Sequence, residues 1–152
     1  MESNIPSDVE ERRVMLMTDP LRELMKKDDL YLYFETIQET ISCLDSDVIL
    51  YLKFHPREIQ TSRDKILEIA RQSGIRFKFL SEKVNICVEY YLQLFHFEKI
   101  YFFNAATYFY NGYANRGMAI GTSVLLSPIY NSDGVIKFRH TRVQGFHVAI
   151  AG

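Results

Sequence analysis

The segment at residues 53–58, with the sequence KFHPRE, contains the residue types that bind a phosphate and donate a proton to it. It directly follows the apolar run VILYL, whose β-branched and aromatic residues are typical of a buried strand. Pro56 disfavours a helical conformation at His55, so the histidine is expected to stay extended at the strand's carboxyl end. Ligands of open α/β sheets bind at that edge. With Lys53 and Arg57 beside it, His55 is predicted to meet a phosphate. The alternative is an ordinary surface loop in which His55 has no function and Lys53 and Arg57 form surface pairs with glutamates.

Two further groups of residues follow predicted strands. The acidic pair Asp28 and Asp29 comes after the first strand. The other group opens a helix after the fourth strand and consists of Asn104, Ala105, Ala106 and Thr107. Small side chains at a helix start let backbone N–H groups approach an anion, which the helix dipole also favours. Because parallel strands end at one edge of a sheet, an acid, a histidine and a phosphate-binding turn are predicted to converge on one cleft.

Hydrophobic periodicity predicts strands that alternate with helices. Strands are predicted at residues 13–18, 48–52, 75–80 and 100–103, and helices at residues 31–43, 61–73, 85–95 and 105–110. A capping-box pattern at residues 61–64 is expected to start the second helix, and Gly74 to follow its last turn. Short connections between alternating elements imply a parallel sheet with right-handed crossovers. The predicted fold class is α/β, a Rossmann-like parallel sheet with helices on both faces.

The chain divides into three predicted parts. Residues 1–12 are expected to form a flexible arm, residues 13–112 the Rossmann-like domain, and residues 113–152 a C-terminal extension. Within the extension, strands are predicted at residues 123–127 and 135–138, around a turn at residues 131–134. The apolar stretch at 146–151 is compatible with a strand or with a tail created by a frameshift or truncation.

Composition narrows the class of protein. The 152 residues are 47% hydrophobic and 24% charged, which is typical of a globular domain. A net charge of -1 does not favour nucleic acid as a partner. Neither a secretory signal nor an apolar run of about 20 residues is visible, so we expect a soluble or at most peripherally membrane-associated chain. The histidines lack the spacing of a zinc site, and Cys43 and Cys87 are expected to be small core residues.

Several motifs, taken in order, resemble the donor lobe of bacterial sialyltransferases of the lipooligosaccharide type, with capsular polysialyltransferases as relatives. They lie at residues 18–21 (TDPL), 28–30 (DDL), 53–58 (KFHPRE), 84–92 and 100–107. The resemblance covers residues 14–110, and Lys-x-His-Pro-Arg-Glu is its most specific motif. It implies the C-terminal, nucleotide-sugar-binding half of a GT-B glycosyltransferase. Such an enzyme takes CMP-sialic acid as donor substrate, needs no metal or other cofactor, and transfers sialic acid to a glycan hydroxyl.

The resemblance also implies residue roles. Asp29, or alternatively Asp28, matches the acid that deprotonates the acceptor hydroxyl, and His55 matches the histidine that assists the departure of CMP. Glu89 matches a glutamate that contacts the nucleotide. The remaining donor-binding positions are Lys53, Pro56, Arg57, Asn104, Ala105, Ala106 and Thr107. Leu30 stands where the family's acidic motif has glycine, and Asn104 to Ala106 stand where it has serines.

A GT-B enzyme has two lobes, and a chain of 152 residues accommodates one of them. The expected partners are therefore a nucleotide-sugar donor, a glycan acceptor, and either a separate N-terminal lobe or a second copy of the chain. The resemblance places such a protein in the bacterial cytoplasm, at most peripheral at the inner membrane. Two alternatives stay open: a non-catalytic nucleotide-binding or dimerisation module, and a GT-B lobe of the glycerol-phosphate polymer transferase type.

Overall fold

The computed structural model describes residues 11–18, 25–79, 95–103 and 122–143. Its strands are β1 (Arg12–Met17), β2 (Val48–Lys53), β3 (Arg76–Phe79), β4 (Lys99–Phe102), β5 (Thr122–Asn131) and β6 (Gly134–Val143). Its helices are α1 (Leu30–Ser42), preceded by a 3-10 turn at Lys27–Asp29, and α2 (Gln60–Ser73).

The six strands form one sheet in the order β3-β2-β1-β4-β5-β6. The first five strands are parallel, and β6 returns antiparallel to β5. The chain moves outward from β1 to β3 and then resumes at β4 on the other side of β1, so the order reverses between β1 and β4. This arrangement confirms the predicted α/β, Rossmann-like class, and the reversal is where open sheets of this kind bind ligands.

The local patterns predict the element bounds closely. Each of β1 to β4 and both described helices begin and end within one residue of the predicted bounds. Gly74 follows α2 in the left-handed conformation, with φ of 78°, as a residue without Cβ permits. The helices predicted at 85–95 and 105–110 lie outside the described residues, apart from Phe95, which lies in the loop before β4.

The predicted capping box at the start of α2 is wrong. Ile59 is the N-cap residue, with φ of -75° and ψ of 157°, and its carbonyl accepts the first helical hydrogen bond from the Arg63 N–H at 3.1 Å. Thr61 therefore lies inside the first turn, and the Gln60 side chain donates to Asp64 at 2.8 Å. The tertiary contacts of Arg63, described below, outweigh the local capping preference.

β5 and β6 are longer than predicted and extend the same sheet, hydrogen-bonded in sequence to β4. They come from the segment set apart as a C-terminal extension. The predicted turn between them is present: Asn131 Oδ1 accepts from the N–H groups of Asp133, at 2.8 Å, and Gly134, at 3.0 Å. An asparagine side chain that satisfies the backbone in this way favours a tight hairpin.

Two hydrophobic clusters cover the two faces of the sheet. On the face of α1 and α2, strand residues such as Leu16 and Leu50 pack against Ile37 of α1 and Ile66 of α2. The opposite face buries Met15, Met17, Ile49, Tyr51, Phe97, Ile100 and Phe102. Alternate residues of each strand point to opposite faces, so β1 and β2 are buried on both sides, as parallel strands usually are. Cys43 is exposed at the C-terminus of α1 rather than in the core, because the helix ends one residue before it.

Among the described residues, no helix combines the length and the hydropathy that crossing a membrane requires.

Candidate functional site

The loop after β2 is joined to the end of β1 by two hydrogen bonds. The Thr18 N–H donates to the Lys53 carbonyl at 2.9 Å, and the His55 N–H donates to Thr18 Oγ1 at 3.1 Å. Thr18 is buried, with 4% of its surface exposed. A single residue after β1 thus uses its backbone to hold Lys53, the last residue of β2, and its side chain to hold His55, the second residue of the loop.

The imidazole of His55 is oriented by its own loop. Its Nδ1 accepts the Arg57 N–H at 3.1 Å, while the His55 carbonyl accepts the Glu58 N–H at 2.9 Å and closes the turn. A ring nitrogen that accepts a backbone N–H carries no proton itself, so the neutral ring carries its proton on Nε2. His55 is half-buried at the carboxyl end of β2, and its Nε2 has the chemistry of a hydrogen-bond or proton donor.

Glu58 is buried, with 4% exposure, although the surface-loop alternative would place this glutamate in solvent. Its Oε2 accepts a hydrogen bond from the hydroxyl group of Tyr33 of α1, with 3.0 Å between the two oxygens. Tyr33 is itself 1% exposed, and its ring meets that of Phe103, the residue after β4, edge-on at 5.0 Å. A buried carboxyl group requires such a partner. The Tyr33–Glu58 bond therefore connects the loop after β2 with α1 and with the end of β4.

Arg63, in the first two turns of α2, closes the loop from the other side. Its Nε donates to the Glu58 carbonyl at 2.7 Å, and its Nη2 lies 3.2 Å from the His55 carbonyl and 3.3 Å from that of Pro56. The guanidinium also lies 5.6 Å from the centre of the Phe54 ring. One planar cation thus donates to three loop carbonyls, including the His55 carbonyl that also accepts the Glu58 N–H.

The electrostatic character of this loop is positive. Lys53 and Arg63 are half-buried and Arg57 is exposed. The loop leads into α2, a helix whose first turn contains no acidic residue and whose N-cap, Ile59, has no side-chain acceptor for its N–H groups. The dipole of such a helix favours an anion at its N-terminus. The arrangement can therefore bind a phosphate and offer it a proton.

Asp29 lies at the same edge of the sheet but serves a different contact. It is the residue before α1, and its Oδ2 accepts the Val135 N–H at 3.2 Å, at the start of β6. A Cβ at Gly134 would overlap the Asp29 carboxylate, and Gly134 has φ of 140°. Lys26 reinforces the contact by donating to the Asp133 carbonyl at 2.9 Å. The Asp29 carboxylate thus joins the start of α1 to the hairpin between β5 and β6.

Asp29 and His55 lie beside different strands of the sheet. The hairpin ends β5 and His55 follows β2, and the strand order puts three interstrand spacings, about 14 Å, between those strands. Tyr33 is one helical turn beyond Asp29 and bonds to Glu58, three residues beyond His55. None of the hydrogen bonds of Asp29 within the described ranges reaches His55. Asp28 is exposed in the 3-10 turn.

The other predicted donor-binding residues lie outside the described residues: Glu89, Asn104, Ala105, Ala106 and Thr107. Reasoning from the sequence assigned no role in the site to Thr18, Tyr33 or Arg63. A hydrophobic pattern treats a tyrosine as core and an arginine as surface, so it carries no signal for hydrogen bonds made across elements.

The part of the chain covered by the described ranges contains no group of three His, Cys, Asp or Glu residues arranged to hold a metal ion.

Comparison of the chain with protein-family models, with curated proteins and with solved structures gives no match.

Proposed function

We propose that this chain is the donor-binding lobe of a glycosyltransferase that transfers sialic acid from CMP-sialic acid to a glycan hydroxyl. The observation that carries the proposal is the state of His55. Its Nδ1 is occupied by the Arg57 N–H, and the ring lies in a positively charged loop at the carboxyl end of β2. A histidine held in this way offers Nε2–H to a departing phosphate. The order of motifs along the chain supports the same donor class.

The chemistry assigns a step to each group. The bond between the anomeric carbon of the sugar and the phosphate oxygen breaks, and its electron pair stays on CMP. Positive charge on Lys53 and Arg57, with the N–H groups that open α2, stabilises the leaving phosphate. His55 donates its Nε2 proton or a hydrogen bond to that oxygen. The acceptor oxygen then bonds to the anomeric carbon, and its proton passes to a base, the role that the resemblance assigns to Asp29, although the strands beside Asp29 and His55 lie three interstrand spacings apart.

The second candidate function is a nucleotide-binding module without transfer. It is favoured by the contact of Asp29 with the hairpin, because the carboxylate already accepts the Val135 N–H and lies against Gly134. Under this alternative, Asp29 is needed for folding and does not act as the base for an acceptor hydroxyl. The module would bind CMP through the His55 loop and release it unchanged.

Calorimetric titration of the chain with CMP, with CMP-3-fluoro-sialic acid and with CDP-glycerol tests the proposal. We expect saturable binding of both CMP compounds, weakened at least tenfold by His55→Ala. His140→Ala is the matched control, because His140 is an exposed histidine on β6 that contacts Thr40 of α1 at 3.5 Å. Equal weakening by the two variants, or no binding of CMP, would contradict the proposal. Tighter binding of CDP-glycerol than of either CMP compound would reassign the donor.

Transfer separates the two candidate functions. If the chain, alone or with an added acceptor lobe, moves sialic acid to a lipooligosaccharide acceptor and Asp29→Asn abolishes the transfer, the enzyme function stands. Asparagine keeps an oxygen for the Val135 N–H, so the hairpin contact is preserved. Binding without any transfer would establish the module.

A further inference from the structure

We infer that Tyr33 and Glu58 are positioning residues that fix the protonation site of the His55 imidazole through the geometry of its loop. The use of this tautomer in donor binding rests on the proposed function. The tautomer of His55 itself can be measured on the chain without any ligand. The hydrogen bond between Tyr33 of α1 and Glu58 of the loop is buried. Through it the two residues position His55 without touching a substrate themselves.

The argument begins with the bond that sets the tautomer. His55 Nδ1 accepts the Arg57 N–H at 3.1 Å, so the direction of that N–H decides which ring nitrogen is protonated. The peptide group that carries it lies inside the turn closed by the Glu58 N–H and the His55 carbonyl, at 2.9 Å. Moving Glu58 therefore turns the Arg57 N–H away from the ring.

The next step concerns what holds Glu58. Its backbone carbonyl is bound by Arg63 at 2.7 Å, and its side chain reaches inward to the Tyr33 hydroxyl at 3.0 Å. An arginine side chain can follow a carbonyl that moves, whereas Tyr33 is packed in the core against Phe34 and Phe103, with ring centres at 5.2 Å and 5.0 Å. Tyr33 is thus the rigid end of the connection.

The burial of Glu58 also supports a positioning role. A carboxyl group with 4% exposure is costly to bury even when it is hydrogen-bonded, and an apolar residue of similar size would pack there at lower cost. A merely structural position does not require a carboxyl group. A position that must hold a turn in one orientation requires a side chain that accepts a hydrogen bond, because a hydrogen bond is directional and packing is not.

The other end of the loop is held independently, since the His55 N–H donates to Thr18 Oγ1 at 3.1 Å. The main chain of His55 is therefore fixed by β1 and its ring by the Tyr33–Glu58 connection. With both in place, Nε2–H is the group offered to a phosphate. Loss of the second connection alone leaves the main chain of His55 in its position but releases the Arg57 N–H that His55 Nδ1 accepts.

The test is the two-bond proton–nitrogen correlation spectrum of the imidazole nitrogens, recorded on the full chain without ligand. His55→Gln identifies the His55 signals among the four histidines. We expect the wild type to show the Nε2–H form, and Tyr33→Phe to show averaged nitrogen shifts of two exchanging tautomers. Tyr33→Phe should also weaken the binding of CMP about tenfold.

Two further variants keep the result interpretable. Glu58→Met removes the acceptor instead of the donor and should give the same averaged shifts. Glu58→Gln keeps an oxygen for Tyr33 and should restore the wild-type pattern. Ile41→Val, a loss of packing on the same helix, is the control for a general loss of stability, and should leave the His55 shifts unchanged.

The inference is overturned if Tyr33→Phe keeps the wild-type His55 shifts. If Tyr33→Phe does not fold, the same result for Glu58→Met overturns it. It is also overturned if Ile41→Val changes them equally. Failure of the proposed function looks different: the tautomer would respond as expected while neither the wild type nor any variant bound CMP.

Discussion

Thr18 and His55 are joined across two neighbouring strands, with the His55 N–H donating to the Thr18 hydroxyl oxygen at 3.1 Å. This contact places the histidine beside the point where the strand order reverses. Thr18→Val removes the acceptor while keeping the side-chain shape. We expect a loss of about 1–3 kcal/mol in the free energy of unfolding, because a partly buried N–H is left unpaired, and weaker binding of CMP.

Urea unfolding and titration with CMP measure the two effects. Thr36→Val is the matched control, since the Thr36 hydroxyl donates to the Leu32 carbonyl at 2.7 Å within α1. Removing such a bond within a helix should change stability by no more than about 0.5 kcal/mol. If the two variants lose the same free energy of unfolding, the bond between Thr18 and His55 contributes no more to stability than a bond within a helix.

Gly134→Ala should destabilise the chain, because its Cβ would overlap the Asp29 carboxylate at a φ of 140°. We expect a loss of about 1–3 kcal/mol. Gly74→Ala is the control: Gly74 also has positive φ, at 78°, but a Cβ there meets no atom within 4 Å. That control carries conformational strain alone, about 1 kcal/mol. Combining Gly134→Ala with Asp29→Ser should recover part of the loss, and thermal unfolding of the four proteins decides this.

Arg12 should stabilise the opposite, amino edge of the sheet through three carboxylates. Its guanidinium contacts Asp47 and Glu98 at 2.8 Å and Asp45 at 2.9 Å. Hydrogen bonds to Glu98, Asp45 and Asp47 raise the pKa of Arg12 above its already high ordinary value, so it is charged at every working pH. Arg12→Ala leaves three neighbouring carboxylates without a cation.

At low salt we expect Arg12→Ala to unfold at a lower midpoint than the wild type. In 1 M salt, where charges are screened beyond about 3 Å, the difference between the two midpoints should be smaller. Arg71→Ala, which removes a single exposed pair with Glu68 at 3.3 Å, should have little effect under either condition. A midpoint for Arg12→Ala that does not depend on salt would show that packing, rather than charge, accounts for the loss.

Tyr101 should make stability decline at alkaline pH. Its burial in β4 raises the pKa of its phenol above 10.0, with a smaller contribution from Cys43. The folded chain therefore holds the proton more tightly than the unfolded chain. This contribution is complete below pH 10 and is lost as pH rises through the raised value.

The difference between the wild type and Tyr101→Phe isolates this residue among the 10 tyrosines. We expect the two curves of unfolding free energy against pH to run parallel up to about pH 10, the ordinary tyrosine value, with the wild type falling more steeply above it. Parallel curves throughout the alkaline range would mean that Tyr101 ionises equally in the folded and unfolded chains.

What local sequence determined is the set of elements and their bounds. Alternating apolar residues in β1 and the helical spacing in α1 act over a few residues, and Gly74 ends α2 by its own conformational freedom. Pro56 likewise restricts only its neighbour, which is why the position of His55 after β2 followed from the sequence. The capping residue of α2 did not follow from the sequence: Arg63 is bonded to the preceding loop, and the N-cap is Ile59.

Only the tertiary structure decided which of these residues meet. The burial of Glu58 depends on Tyr33, 25 residues earlier, and the use of the Asp29 carboxylate depends on Val135, 106 residues later. A charged residue in a sequence is expected at the surface, since burying it is unfavourable without a partner. The partner comes from another element, so the strand order and the packing of α1 must exist before the role of either acid is defined.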